Sequence, residues 1–170
     1  MQVSSPNEEQ PVPRLATITL AYSIEEDRVR LDGLSTAGET LTLWLTARLL
    51  NRLVPHLLAR QPGTENLTPD SSPVPVDAIS EAETKAEPVQ CAPGSPDFLV
   101  ASVDLKSIDN RLLLVFKDRA DIQCATLCLR NEALPQWNLS IRQCFELGGW
   151  LLDVFEQRST SSGVGVITIH

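Results

Sequence analysis

Thr40-Leu41-Thr42-Leu43-Trp44-Leu45-Thr46-Ala47-Arg48-Leu49-Leu50-Asn51-Arg52-Leu53-Val54 changes its period in mid-course, and the change decides how the chain is read. Up to Thr46 the alternation is strict: Leu41, Leu43 and Leu45 fall on one face, with Thr40, Thr42, Trp44 and Thr46 on the other. A period of two is that of a half-buried strand. Beyond Thr46, the residues Leu49, Leu50, Leu53, Val54, Leu57 and Leu58 trace one helical stripe. Thr46 stands at the joint as an N-cap, its hydroxyl placed to accept from a free amide of the first turn. A strand that feeds a helix so directly must pack against it. The spacing predicts a helix from about Ala47 to about Arg60, bent at Pro55, which lacks an N–H and whose ring crowds the preceding turn.

Upstream, Leu15 to Ile24 and Arg28 to Leu34 alternate as strands around the charged turn Glu25-Glu26-Asp27. Downstream, strands are expected at Phe98–Leu105, Arg111–Lys117 and Ile122–Arg130. A second helical stripe follows over Trp137, Ile141, Cys144, Phe145, Gly148, Leu151, Leu152 and Phe155, with Pro135 in its first turn. That helix is expected to end near Gln157, with Gly148-Gly149 as a kink or a close-packing point. The expected fold class is α+β. It is an antiparallel sheet of about six strands in two βββα halves, residues 15–60 and 98–157, with helices covering the sheet in one domain. The face carrying Trp44 is expected to be covered too, for instance by a helix; the alternative is that Trp44 is exposed and marks a contact surface.

Residues 61–97 separate the halves and hold seven prolines and seven acidic residues against one base, Lys85. They are expected to form a long disordered, acidic insertion. Residues 1–14 read as a disordered arm and residues 158–170 as a flexible tail or an edge strand. The net charge is −8, of which the insertion carries −6, so the folded halves are nearly neutral. Nucleic acid is therefore not an expected partner, because backbone binding needs a basic face. No apolar run reaches the ~20 residues that span a bilayer. Met1 to Arg14 is polar, without the apolar core of a secretory signal. The expected location is cytoplasmic, with Cys91, Cys124, Cys128 and Cys144 reduced.

The chain contains no phosphate-cradling GxxxxGK[ST], no GxGxxG after a strand, no GxSxG and no HExxH. Its two histidines are His56, on the first helix, and His170. Catalysis, cofactors and metal are accordingly not expected. An alternative is a metal- or thiol-dependent site on Cys124, Cys128 and Cys144, should the last helix bring Cys144 over the strand that carries the other two. Against it, residues four apart on a strand lie ~13 Å apart, too far for one ion. The candidates for partner contact are Trp44, off the leucine face, and Arg48 and Arg52, one helical turn apart and off the apolar stripe, suited to a phosphate or a partner's carboxylate.

Leu43-Trp44-Leu45-Thr46-Ala47-Arg48-Leu49 resembles a strand-to-helix motif of small uncharacterised bacterial proteins, which implies no activity. Leu112-Leu113-Leu114-Val115-Phe116-Lys117-Asp118, then Cys124 to Leu129 and the last helix, resemble in order the head domain of eukaryotic end-joining scaffold proteins and centriolar assembly proteins. That likeness implies a non-enzymatic scaffold, with a DNA-repair-like role as an alternative. A helix ending near Gln157 is too short for a dimerising stalk. The expected function is a non-catalytic protein–protein interaction or scaffold module that meets a protein partner or a second copy of itself.

Overall fold

The structure is a computed structural model that describes residues 11–61, 87–156 and 166–170. Its strands are β1 (Arg14–Ser23), β2 (Arg28–Ser35), β3 (Thr40–Leu45), β4 (Asp97–Leu99), β5 (Ser102–Ile108), β6 (Arg111–Lys117), β7 (Gln123–Arg130) and β8 (Val166–Ile169). Its helices are α1 (Ala47–Leu58) and α2 (Leu134–Gly148). The strands form one eight-stranded sheet in the order β4-β3-β2-β1-β7-β6-β5-β8. The sheet is mixed: β1 runs parallel to β7 and β3 parallel to β4, while the other pairs are antiparallel.

The expected six-stranded antiparallel sheet under covering helices is thus incorrect, and two short segments overturn it. Phe98 to Leu105 is two strands rather than one: β4 adds in parallel to β3, and β5 pairs with β6. Residues 166–169 form an eighth strand on β5. The break between β4 and β5 has a large consequence. These strands stand first and seventh in the sheet, so in a flat sheet they would lie roughly 29 Å apart. The chain from Leu99 to Ser102 covers at most ~11 Å. The sheet must therefore curl until its two ends meet. Two hydrogen bonds close the seam: Val100 N–H donates to the Trp44 carbonyl at 3.0 Å, and Ala101 N–H to the Lys117 carbonyl at 2.8 Å.

The concave side holds a single core. Leu20, Leu31 and Leu43 align across β1, β2 and β3, as do Leu127, Leu114, Leu105 and Ile167 across β7, β6, β5 and β8. At the start of β1 the register slips between Leu15 and Thr17. Strict alternation would set Leu15 opposite to Ile18; the slip turns it inward beside Gly33, where a Cβ would stand 2.7 Å from the Leu15 Cδ2. The parallel contact between β1 and β7 is short, Arg14 with Thr126 and Leu15 with Leu127. Into the core α1 sends Leu49, Leu50, Leu53, Val54 and Leu57, and α2 sends Leu134, Trp137, Ile141, Cys144 and Phe145. The two helices pack on each other, α1 also on β8 and α2 on β1 and β2.

The second helix is shorter than expected. Gly149 takes φ +66° as its left-handed C-cap, and Trp150 N–H then bonds back to the Phe145 carbonyl at 2.9 Å. The apolar residues beyond it, Val154 and Phe155 among them, reach the core from a short 3-10 turn at Asp153–Phe155 that packs on α1.

The convex side lies under a strap of chain rather than a helix. Val89 N–H donates to Thr19 Oγ1 at 2.8 Å, the Cys91 thiol to Asp32 Oδ1 at 3.3 Å, and Ala92 N–H to Thr40 Oγ1 at 3.3 Å. The Asp32 oxygen also accepts from the Thr42 hydroxyl at 2.6 Å and Arg30 Nε at 2.9 Å. Residues 87–97, expected within the insertion, therefore belong to the fold, while residues 62–86 lie outside the described residues.

Candidate binding recess at the seam

The seam gathers four segments remote in sequence. Thr46 ends β3 and caps α1, its Oγ1 accepting from Leu49 N–H at 3.2 Å, so Arg48 falls in the first turn of the helix. Leu99, Val100 and Ala101 form the crossing between the ends of the sheet. The turn between β6 and β7 supplies Arg119. That turn is shaped by the Asp118 carboxylate, which accepts from Ala120 N–H at 2.8 Å and Ile122 N–H at 3.0 Å. His170 follows β8, and its carbonyl accepts from Arg52 Nη1 at 2.6 Å. Thr46, Arg48, Leu99, Val100, Arg119 and His170 are among the residues that line a recess of about 340 Å³. This is at the lower end of small-ligand sites, about 300–1,000 Å³.

The charge balance of the recess is uneven. Lys117 binds Asp104 at 2.8 Å and Asp121 at 3.1 Å, and Thr168 donates to Asp104 at 2.6 Å. Burial works against ionising Asp104, yet the bonds from Lys117 and Thr168 hold its carboxyl below the usual range. Asp118 is engaged by its own turn, and Asp97 accepts from Trp44 Nε1 at 3.2 Å. The carboxylates carried by these strands and turns are thus engaged with other donors. Arg48 and Arg119 are exposed and have no partner among the described residues. Arg48 moreover sits where the helix dipole disfavours a cation, in a first turn that carries no acid.

Of the expected contact residues, Arg48 lines the recess and Arg52 sits one turn further along α1, joined to His170. Trp44 lies on the convex side, half-buried, where its partner across the sheet is Leu99. No helix covers its face, because both helices lie in the concavity. Arg119 and His170 were not legible as members of the site. Arg119 belongs to a short charged turn of ordinary appearance, and only closure of the sheet brings it near α1.

The cysteines do not gather. Cys124 stands at the irregularity where the Phe116 and Lys117 pairing skips a residue, and Cys128 pairs opposite Leu113. Cys144 is on α2 and Cys91 in the strap. Burial, then the Asp118 carboxylate, pushes the Cys124 thiol up to about 11, and burial pushes Cys144 up to about 11. Among the described residues no group of three His, Cys, Asp or Glu is placed to hold a metal ion. Burial, then Arg60, pushes the His56 imidazole down.

The chain matches no protein-family model, no curated protein and no solved structure. Among the described residues no helix is long and apolar enough to cross a membrane.

Proposed function

We propose that this chain is a non-catalytic recognition module whose protein partner docks at the seam, against Trp44, Arg48 and Arg52. One observation carries the reading: Leu99 stands beside Trp44 across the sheet and lines the same recess as Arg48, so an aromatic surface and an unpaired guanidinium adjoin. Tryptophan and arginine are the side chains that most often anchor protein interfaces. A cytoplasmic setting is part of the proposal, supported by four cysteines in the free thiol state.

The test compares the wild-type chain with Trp44→Ala/Arg48→Ala/Arg52→Ala as immobilised baits, read by quantitative mass spectrometry. The expected result is a retained protein whose recovery falls about tenfold or more on the variant, as loss of ~1.4 kcal/mol would give. Alternatively, the captured partner is a second copy of the chain, seen as a dimer by light scattering that the variant dissolves. Equal retention of every protein by both baits, with the variant's thermal unfolding unchanged, would refute the docking surface.

A further inference from the structure

We infer that the recess at the seam is an oxyanion site that takes the carboxylates of an acidic peptide segment of the partner. The inference rests on the docking surface proposed above and names what that surface recognises. Arg48 and Arg119 come from a helix and from a distant turn, yet both line one recess. Neither has a counter-ion among the described residues, because Asp97, Asp104, Asp118 and Asp121 already accept from Trp44, Lys117, Thr168 and backbone amides. Two guanidiniums that line one recess without an acid gain charge-assisted hydrogen bonds from an incoming oxyanion. Arginine's planar fork suits the two oxygens of a carboxylate. The Thr46 hydroxyl adds a polar group to the wall, and Leu99 and Val100 supply an apolar floor for the aliphatic part of a glutamate. The neighbouring main-chain oxygen of His170 accepts from Arg52.

The site is tested on the full chain by heteronuclear NMR, at constant ionic strength, with an acetylated oligoglutamate peptide as probe. An oligoglutamine peptide of equal length and inorganic phosphate serve as the comparison arms. Oligoglutamate is expected to shift the amides of residues 47–49 and 100–101 saturably, and oligoglutamine to leave them in place. Arg48→Ala and Arg119→Ala should each weaken binding by roughly fivefold, the loss of ~1 kcal/mol. Arg142→Ala, which removes a cation already paired with Glu146 on α2, should change nothing. The inference fails if no shift saturates, if oligoglutamine binds equally, or if the arginine variants bind like wild type. It also fails if phosphate saturates the same amides more tightly than the peptide, since the source of the anion is then a phosphate. Should oligoglutamate fail while the baits still separate wild type from variant, the docking surface stands and only its anion chemistry falls.

Discussion

Cys144 and Cys124 are nearly sealed in the core, 3% and 4% exposed, and their thiols are raised to about 11. At pH 8 only about one such thiol in a thousand is ionised, and the thiolate is the reactive form. Iodoacetamide at pH 8 is therefore expected to leave both unmodified in the folded chain and to alkylate both once guanidinium unfolds it; equal rates in the two states would contradict their burial. The same shift fixes a pH dependence. Below the ordinary thiol value of 9.0 both states keep the proton, and stability is unaffected. Between 9.0 and about 11 the unfolded chain releases protons that the folded chain retains, so stability falls as pH rises. The urea midpoint should decline across that window, and Cys124→Ala/Cys144→Ala should flatten the decline. At this scale the sequence was a good guide to burial, since Cys144 lies on an apolar stripe. Cys124 is buried as well, at an irregularity in strand pairing that no alternation announces.

Gly148 and Gly149 are needed at the end of α2 for different reasons. Gly149 holds a left-handed φ of +66°, with open space where a Cβ would go. A Cβ on Gly148 would stand 2.9 Å from Cε2 of Tyr22, in the cluster where Trp150 meets Tyr22 and Phe145 edge-on. Gly149→Ala is expected to cost about 1 kcal/mol through backbone strain alone. Gly148→Ala should cost more, and Tyr22→Ala should reduce that excess while leaving the cost of Gly149→Ala intact. Chemical denaturation of the single and double variants measures both, and a cost at Gly148 that ignores Tyr22 would reject the steric account. The elements whose period holds over most of their length, β1 to β3, α1, β6 and β7, were legible because alternation and stripe are direct images of burial. The end of α2 was not, because Leu152 and Phe155 pack against the core from a 3-10 turn and so prolong the stripe past the helix. The break after β4 left a trace: Phe98 and Val100 share one parity, Val103 and Leu105 the other, and all four pack against the core or within it. Arg48 and Arg52 stood out on the free face of α1, whereas Arg119 depends on closure of the whole sheet.

The seam ties the halves of the molecule together. Because Val100 bonds to β3 and Ala101 to β6, neither half can open without loosening the other. A single cooperative transition is expected, with far-ultraviolet circular dichroism and tryptophan fluorescence giving coincident midpoints; Trp44 reports on β3, and Trp137 and Trp150 on α2 and its end. Separated midpoints would show that the halves are independent. The brief parallel contact of β1 with β7 has a different reach. Leu15 waits for Leu127, more than a hundred residues further along the chain. At roughly 5–20 residues per second of synthesis, β1 leaves the ribosome on the order of ten seconds before its neighbour exists. Throughout that interval β1, which has β2 at hand on one side, carries on the other an open edge rich in Ile, Leu and Thr that can accept another strand. Premature pairing at that edge during synthesis is the hazard that this order of strands creates.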